Sequence, residues 1–367
     1  ENEILYTCSY TPLEILDAFG LVPLRTLGRA GAPEVADSYL HPNLCSYVKS
    51  ILNSTHGEPP RPIVFVDSCD AMRRLSDAWG YFFQDSPLYL MNLPRIHSEE
   101  ALGFFREELQ GLISSLEGRS GQRLEPERLR SSIRTYNALR RALSQLEERL
   151  LEGGIGAADY LELLQEVARL GPREGLKRAE AALQAQAPVG KGERTEEGSR
   201  PAQWDIPLRP TGTEAGGTPL GAGPRLMLSG SPLACAVELA RQVEASGGRV
   251  VYFDTCYTAR FYHGLVAEDE EPLAALARRY LLKTPCARMK GSYERFEELG
   301  RVIEAHDIRG VIYHTLKFCD VFIYDHQPFQ QFLEQRGVPM LRIETEYDPA
   351  LPGQVKTRLQ AFLEMLK

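Results

Sequence analysis

The chain of 367 residues contains the same order of strands and helices twice, once toward each end. In the first copy the apolar run EILYT precedes a helix opened by Thr11 and Pro12, and PIVFV and PLYLMNL follow as strands. In the second copy RLMLSG precedes Ser231 and Pro232, and RVVYFDT, GVIYH and VPMLRIET follow as strands. Short apolar runs bounded by turn residues are typical of buried parallel strands. The repeat therefore predicts an α/β protein with two Rossmann-like open-sheet domains that face each other.

A different pattern separates the two copies. Segments such as ALGFFREELQGLISSL and ADYLELLQEVARL have helical periodicity, which predicts an all-helical insertion. A stretch rich in Gly, Pro, Thr and charge follows it and has few apolar residues, as expected of a flexible linker or long loop. The predicted division is an N-terminal α/β domain, a helical insertion, a linker and a C-terminal α/β domain, at residues 1–95, 96–187, 188–224 and 225–367.

Composition excludes several classes of protein. A formal net charge of -8 argues against nucleic-acid binding, which depends on clustered Lys and Arg. No apolar run approaches the ~18 to 20 residues that span a bilayer, and no targeting segment is visible. The seven cysteines are an odd number at wide spacing, unlike a secreted disulfide framework. We therefore expect a soluble cytoplasmic protein.

Six of the seven cysteines occupy comparable positions. Cys8, Cys69, Cys256 and Cys319 each follow a predicted strand, and the sequence places Cys45 and Cys286 in the first turn of predicted helices. Ligands of open α/β sheets bind beyond the carboxyl ends of the strands, where helix N-termini converge. These six cysteines are therefore expected to face one crevice.

The cysteines also have simpler interpretations. Cys235 lies four residues after Ser231, as Ile15 lies four after Thr11, so we interpret it as a buried core residue inside a helix. Each of the other six, taken alone, is better explained as a buried apolar residue, and only their occurrence as two parallel triplets favours a common site. Structural zinc sites usually pair ligands as C-x2-4-C, which this chain lacks. Iron-sulfur clusters accept thiolates from distant loops, and three thiolates per cubane leave one iron open for substrate or for a bridge.

Several segments together resemble a known family. YTCSYTPLEILDAFGLVP, HPNLCSYVKSIL, VDSCDAMRR, DTCYTARF, PCARM, YHTLKFCD and GQVKTRLQAFLEML are similar to the 2-hydroxyacyl-CoA dehydratase D-component and benzoyl-CoA reductase family, and within it to the double-cubane cluster proteins. The resemblance implies two bridged 4Fe-4S units, whereas dehydratase subunits typically hold one 4Fe-4S cluster with three cysteines. It implies the ligands Cys8, Cys45, Cys69, Cys256, Cys286 and Cys319 and leaves their division between the cubanes open.

The resemblance also implies a partner. Family members receive single electrons from a separate ATP-hydrolysing iron-sulfur activator of the acetate kinase, Hsp70 and actin superfamily. The chain contains no G-x-x-x-x-G-K-[ST], so we expect ATP on that partner. The leading hypothesis is an oxygen-sensitive, homodimeric oxidoreductase that reduces a small unsaturated molecule. The alternatives are a subunit of a 2-hydroxyacyl-CoA dehydratase, which is a lyase, and a non-enzymatic metal-binding or electron-carrier protein.

Candidate proton donors flank the same positions. His41, His314 and Lys317 are predicted to lie near the crevice and to supply protons to a reduced substrate. His314 lies within the strand GVIYH, where a hydrogen-bonded core residue is an equally good interpretation. Asp70 and Asp320 follow cysteines directly, and capping of the following helix is their expected role.

Overall fold

The computed structural model describes residues 2–28, 35–59, 61–185, 223–291 and 293–367. Within these ranges the strands form two parallel four-stranded sheets. The N-terminal sheet has the order β2-β1-β3-β4 and the C-terminal sheet the order β6-β5-β7-β8. The strands are β1 Glu3–Tyr6, β2 Val22–Arg25, β3 Ile63–Val66, β4 Leu88–Met91, β5 Arg225–Gly230, β6 Arg249–Asp254, β7 Gly310–Leu316 and β8 Met340–Thr345. Both sheets connect their strands in the same spatial order, so the predicted α/β repeat is confirmed.

Helices connect the strands and fill the long segment between the sheets. Those associated with the N-terminal sheet are α1 Leu13–Ala18, α2 Ser46–Thr55 and α3 Asp70–Phe82. The intervening segment contains α4 Glu99–Ser120, α5 Pro126–Glu152, α6 Ala157–Val167 and α7 Pro172–Ala185. Those associated with the C-terminal sheet are α8 Ala236–Ala245, α9 Ala259–Tyr262, α10 Pro272–Leu282, α11 Tyr293–Ala305, α12 Asp320–Glu334 and α13 Gly353–Met365.

Strand composition explains strand position. All four residues of β3 and all seven of β7 are buried, as expected of inner strands whose two faces are covered. The outer strand β2 contains Pro23, which has no N–H to donate to a second neighbour and is therefore tolerated at an edge. Because every strand pair is parallel, the carboxyl ends of all strands in a sheet lie at the same edge.

The helices between the sheets have clear start and stop signals. The Ser98 side chain accepts a hydrogen bond from the Ala101 N–H at 3.2 Å and caps α4. Pro126 occupies the first turn of α5. Gly121 and Gly153 end α4 and α5 in the left-handed conformation, with φ of 68° and 81°. Local sequence therefore fixes the ends of both long helices.

One hydrophobic core joins these helices to both sheets. It contains Ile4 and Val64 of the N-terminal sheet, Leu228 of the C-terminal sheet, and Leu143 and Leu161 of the intervening helices. Helix α5 packs on α1 on one side and contacts β6 on the other. The helices thus hold the two sheets in a fixed relation. None of the helices in the described ranges combines the length and apolar character that a bilayer crossing requires.

The structure corrects some details of the sequence prediction. The edge strand β2 was not predicted, because Pro23 interrupts its apolar pattern. No helix begins at Pro285: a turn closed by the Met289 N–H and the Cys286 carbonyl comes first, and α11 starts only after Gly291 at φ of 85°. Of the predicted linker at 188–224, residues 188–222 lie outside the described ranges.

Candidate metal centre

Four of the cysteines lie just after the carboxyl ends of strands, as predicted. Cys8, Cys69, Cys256 and Cys319 each lie within three residues of the end of β1, β3, β6 or β7. Cys69 and Cys319 hold the N-cap positions of α3 and α12, and Cys45 holds that of α2. Asp70 and Asp320, expected as caps, are instead the first residues of α3 and α12. All seven cysteines are free thiols.

Three of the cysteines form what we call the first triplet: Cys8, Cys256 and Cys286. The Cys8 thiol lies close enough to those of Cys256 and Cys286 to interact with them electrostatically. Cys286 likewise interacts with Cys256. Cys286 lies in the turn before α11, and its N–H donates to the Tyr10 hydroxyl at 3.1 Å. This bond ties the turn to the loop after β1.

Three others form the second triplet: Cys45, Cys69 and Cys319. The Cys45 and Cys319 thiols are joined by a hydrogen bond, and Cys69 interacts electrostatically with Cys319. The Met72 N–H donates to Cys69 Sγ at 3.4 Å, as a helix N-terminus does toward an anionic ligand. Cys69 also interacts with Cys8, so the two triplets are adjacent.

Each triplet draws on both sheets. The first combines Cys8 of the N-terminal sheet with two cysteines of the C-terminal sheet, and the second combines two N-terminal cysteines with Cys319. The repeat matches Cys69 with Cys319, which follow the corresponding strands β3 and β7. It does not match Cys8 with Cys256, because β6 corresponds to β2 and not to β1. Neither triplet can therefore be complete without both sheets.

Burial keeps most of these thiols protonated when no metal is bound. It raises the pKa of Cys69 to about 12, and it raises the pKa of Cys8 and Cys286 as well. The hydrogen bond with Cys45, together with burial, raises the pKa of Cys319 well above the usual value. Iron binds thiolates, so any iron bound by these cysteines would displace their protons.

Buried cations surround the first triplet. Arg25 donates through Nη2 to Cys256 Sγ at 2.9 Å and through Nη1 to the Cys256 carbonyl at 2.6 Å. Lys283 Nζ donates to the Ser9 carbonyl at 2.5 Å, and burial lowers the pKa of Lys283 well below its usual value. Arg260 interacts electrostatically with Cys286. The sequence analysis missed all three, although Lys283 lies only three residues before Cys286.

The donor set fits an anionic iron-sulfur group. Among the described residues, several buried polar atoms near the cysteines have no hydrogen-bond partner. They include the hydroxyls of Thr7, Thr11 and Thr284 and the guanidinium atoms Arg260 Nη1 and Arg288 Nε. Unpartnered buried donors are costly, and sulfides or thiolates of a cluster would accept from them. The six cysteines are therefore suited to hold iron-sulfur cubanes.

A single metal ion fits less well. Across the described ranges, no three His, Cys, Asp or Glu side chains converge on a position where one ion could bind. A structural zinc ion requires four ligands at ~2.0–2.3 Å from one point. A cubane instead binds each thiolate at a separate iron and so needs ligands that stand apart. The six cysteines come from six separate loops and helix starts of the two sheets, which suits the second kind of site.

The three predicted proton donors lie in different environments. His41 is exposed in the loop before α2, where its Nδ1 accepts from the Asn43 N–H at 3.1 Å. Lys317 is exposed after β7 and pairs with Glu346 at 2.9 Å. His314 is fully buried, and its Nδ1 and Nε2 contact the hydroxyls of Ser231 and Thr345 at 3.1 and 2.8 Å. The contacts of His314 fit the alternative of a hydrogen-bonded core residue.

A buried ion network supports the loop that bears Cys256. Asp254 ends β6 and pairs with Arg260 at 2.9 Å and with Arg295 at 2.8 Å. Arg295 also pairs with Asp325, which accepts a hydrogen bond from the Tyr313 hydroxyl at 2.6 Å. The network fixes the position of Arg260 beside Cys286. Cys235, by contrast, is buried in the core at the N-cap of α8, one position before the helix.

Comparisons with known proteins identify the family of the chain. The family model of the 2-hydroxyglutaryl-CoA dehydratase D-component matches residues 8–366. The chain is 25% identical to "Putative dehydratase subunit YjiM" of Escherichia coli (strain K12), over 98% of this chain and 90% of that protein. It is 22% identical to the (R)-phenyllactyl-CoA dehydratase beta subunit of Clostridium sporogenes, over 97% and 90%. It is also 22% identical to a benzoyl-CoA reductase subunit of Thauera aromatica, over 99% and 90%.

Proposed function

The chain belongs to the 2-hydroxyglutaryl-CoA dehydratase D-component family, and on that premise we propose that it is an iron-sulfur oxidoreductase with a double-cubane cluster. Each triplet would bind one 4Fe-4S unit, and the two units would be bridged. The cluster supplies low-potential electrons to a small unsaturated substrate. We propose residues 1–95 and 225–367 as the two cluster-binding domains, residues 96–187 as the helical insertion between them and residues 188–224 as a linker.

The number and grouping of the cysteines carry this proposal. Six free thiols form two adjacent triplets, and each triplet provides the three protein ligands that a cubane with one open iron needs. Because Cys8 and Cys69 interact, two units bound by these triplets would be neighbours. That proximity supports a bridge between the units.

The protein's own groups would control the charge of the site. Arg25 donates a hydrogen bond to Cys256 Sγ, and the Met72 N–H donates one to Cys69 Sγ, so both sulfurs would keep a donor when they ligate iron. Tyr10 fixes the Cys286 turn, so that the ligands from the two sheets keep their spacing. His41 and Lys317 are the exposed members of the predicted proton donors, and we propose them for proton delivery at the mouth of the site.

Electrons would come from a partner protein. We propose an ATP-hydrolysing iron-sulfur activator, as the family resemblance implies, and a homodimeric assembly in the cytoplasm. The relatives are themselves subunits, as their names state, which supports a protein that works with partners.

A dehydratase subunit is the second candidate. Two dehydratase beta subunits match over most of this chain, including the lactoyl-CoA dehydratase subunit of Anaerotignum propionicum. In that case one triplet would hold the only cubane. A non-enzymatic electron carrier would use the same cysteines without a substrate.

Iron and acid-labile sulfide per chain, measured on protein purified without oxygen, separate the double-cubane oxidoreductase from the dehydratase subunit. The proposal expects about eight irons, and a dehydratase subunit about four. Cys69→Ala should lower the iron content, while Cys235→Ala, the matched control at a core cysteine outside both triplets, should keep it. Zinc in place of iron, or equal loss of iron in both variants, would contradict the proposal.

A further inference from the structure

Two buried cations beside the first triplet have no carboxylate partner. Arg25 and Lys283 are each 5% exposed. Arg25 contacts Cys256 and lies 5.9 Å from the centre of the Tyr6 ring. Lys283 contacts the Ser9 carbonyl and lies 4.4 Å from the centre of the Tyr10 ring. No Asp or Glu of the described ranges pairs with either cation.

An uncompensated buried cation is unfavourable unless an anion lies beside it. Arg25 and Lys283 both interact electrostatically with Cys8 and Cys256. Thiolates on a cubane provide negative charge at that position, and reduction by one electron adds one more. Burial lowers the pKa of Lys283, whereas negative charge at Cys8 and Cys256 raises it, so thiolate ligands at those positions favour protonated Lys283. The positive charge of Arg25 and of protonated Lys283 would therefore favour the reduced form of a cluster bound at the first triplet.

The second triplet lacks this compensation. The cations that interact with Cys69 are Arg288, which is only half-buried, and Arg95, which pairs with Asp67 at 3.4 Å. The exposed carboxylate of Asp320 opposes negative charge at Cys319. Lys317 nearby is exposed and neutralised by Glu346. A cluster at the second triplet therefore experiences less net positive charge than one at the first.

We infer that Arg25 and Lys283 make the two cubanes unequal, so that the unit bound by the first triplet has the higher reduction potential and takes up the first electron. This inference rests on the proposed double-cubane function. The step is the transfer of one electron from a low-potential reductant to that unit, and no bond forms or breaks. Arg25 and Lys283 are charge-compensating residues that act through Cys8 and Cys256. The second unit would pass electrons onward at lower potential.

The test is a redox titration of the full-length cluster-loaded protein, with titanium(III) citrate as reductant and the EPR signal of the reduced clusters as readout. The parent should show two one-electron couples. In Arg25→Gln and in Lys283→Gln the equilibrium constant for reduction of the higher-potential couple should fall at least tenfold. For one electron this corresponds to a downward shift of 59 mV in the reduction potential. Arg25→Lys retains the positive charge, so its higher reduction potential should stay close to that of the parent.

Lys177→Gln is the control, since it removes an exposed lysine of α7 that pairs with Glu174. This variant should shift the reduction potential of neither couple. Cys69→Ala removes a ligand of the second triplet. The higher-potential couple should still be present in this variant.

The outcomes distinguish this inference from the proposed function. Eight irons with an unmoved higher couple in both Gln variants would overturn the inference alone. Equal shifts of both couples would do the same. About four irons in the parent would overturn the double-cubane proposal and this inference with it. If Arg25→Gln fails to retain iron, the Lys283→Gln titration decides.

Discussion

Replacement of Glu14 by Gln should destabilise the protein strongly. Glu14 lies in α1, just after Cys8, and is fully buried. It accepts hydrogen bonds from Arg140 of α5 and, at 2.7 Å, from the Tyr280 hydroxyl of α10. Glu14→Gln keeps the shape but leaves Arg140 as a buried charge without a carboxylate partner. Breaking one side of a buried ion pair costs about 3 to 5 kcal/mol.

The expected loss of unfolding free energy can be measured as a decrease in melting temperature. An unfolding entropy of roughly 2.1 cal/mol/K per residue over a chain of 367 residues gives about 1.3 °C per kcal/mol if the single core unfolds cooperatively. Glu14→Gln should therefore lower the melting temperature by about 4 to 6 °C, measured by circular dichroism without oxygen. The control is Glu127→Gln, which breaks an exposed pair with Arg134 and should change it by less than ~1 °C. Equal shifts in the two variants would refute the reasoning.

Acid should abolish the difference between the parent and Glu14→Gln. Burial alone would raise the pKa of Glu14, but Arg140, Arg279 and the Tyr280 hydroxyl together hold it below its usual value of 4.5. Because the folded-state pKa is depressed, the carboxylate stabilises the fold fully above the unfolded-state pKa. That stabilisation is lost as the pH falls through the folded-state pKa. Melting temperatures that differ equally at neutral pH and at strongly acid pH would contradict this assignment.

Two further substitutions test the C-terminal sheet. Gly230→Ala should destabilise the protein, because φ of Gly230 is 129° and a Cβ would lie 2.0 Å from the His314 carbonyl oxygen. The control is Gly80→Ala, at an open position in a helix. In urea unfolding this control should be neutral or stabilising by up to ~1 kcal/mol. His314→Phe should cost ~1 to 3 kcal/mol, because it removes the two hydrogen bonds of the imidazole to the hydroxyls of Ser231 and Thr345. Each hydroxyl keeps a bond to a backbone carbonyl, Ser231 to His314 and Thr345 to Glu346. Burial lowers the pKa of His314 from 6.5 to about 3, so the parent should lose stability as the pH falls below 6.5, and the variant should lose less. A parent whose stability is flat between pH 6.5 and 4, or a variant as stable as the parent, would argue against these roles.

Strand positions and cysteine positions could be predicted because both depend on local sequence. Apolar runs such as that of β3 signal buried parallel strands, and a cysteine directly after such a run must lie at the sheet edge. The repeat then predicted two similar open sheets, but it did not predict their strand order. Strand β2 escaped prediction because Pro23 breaks its pattern, and the helix expected at Pro285 failed because a turn at Cys286 and Gly291 delays it.

The grouping of the cysteines could not be predicted in the same way. It depends on how the two sheets are placed by the helices between them, and that placement arises from long-range packing. Contacts such as Arg25 with Cys256 join residues 231 positions apart, so no local pattern signals them. The charge at the first triplet was missed for the same reason, since Arg25 belongs to the unpredicted strand and Lys283 is brought to Ser9 from 274 positions away.

The mixed composition of the triplets is tested most directly by counting irons in paired cysteine variants prepared without oxygen. Cys8→Ala, Cys286→Ala and Cys69→Ala should each retain about four of about eight irons. The double variant Cys8→Ala/Cys286→Ala affects one triplet and should still retain about four, whereas Cys8→Ala/Cys69→Ala affects both and should retain almost none. The reverse result, with iron lost in the first double variant and retained in the second, would show that the cysteines do not bind in these triplets.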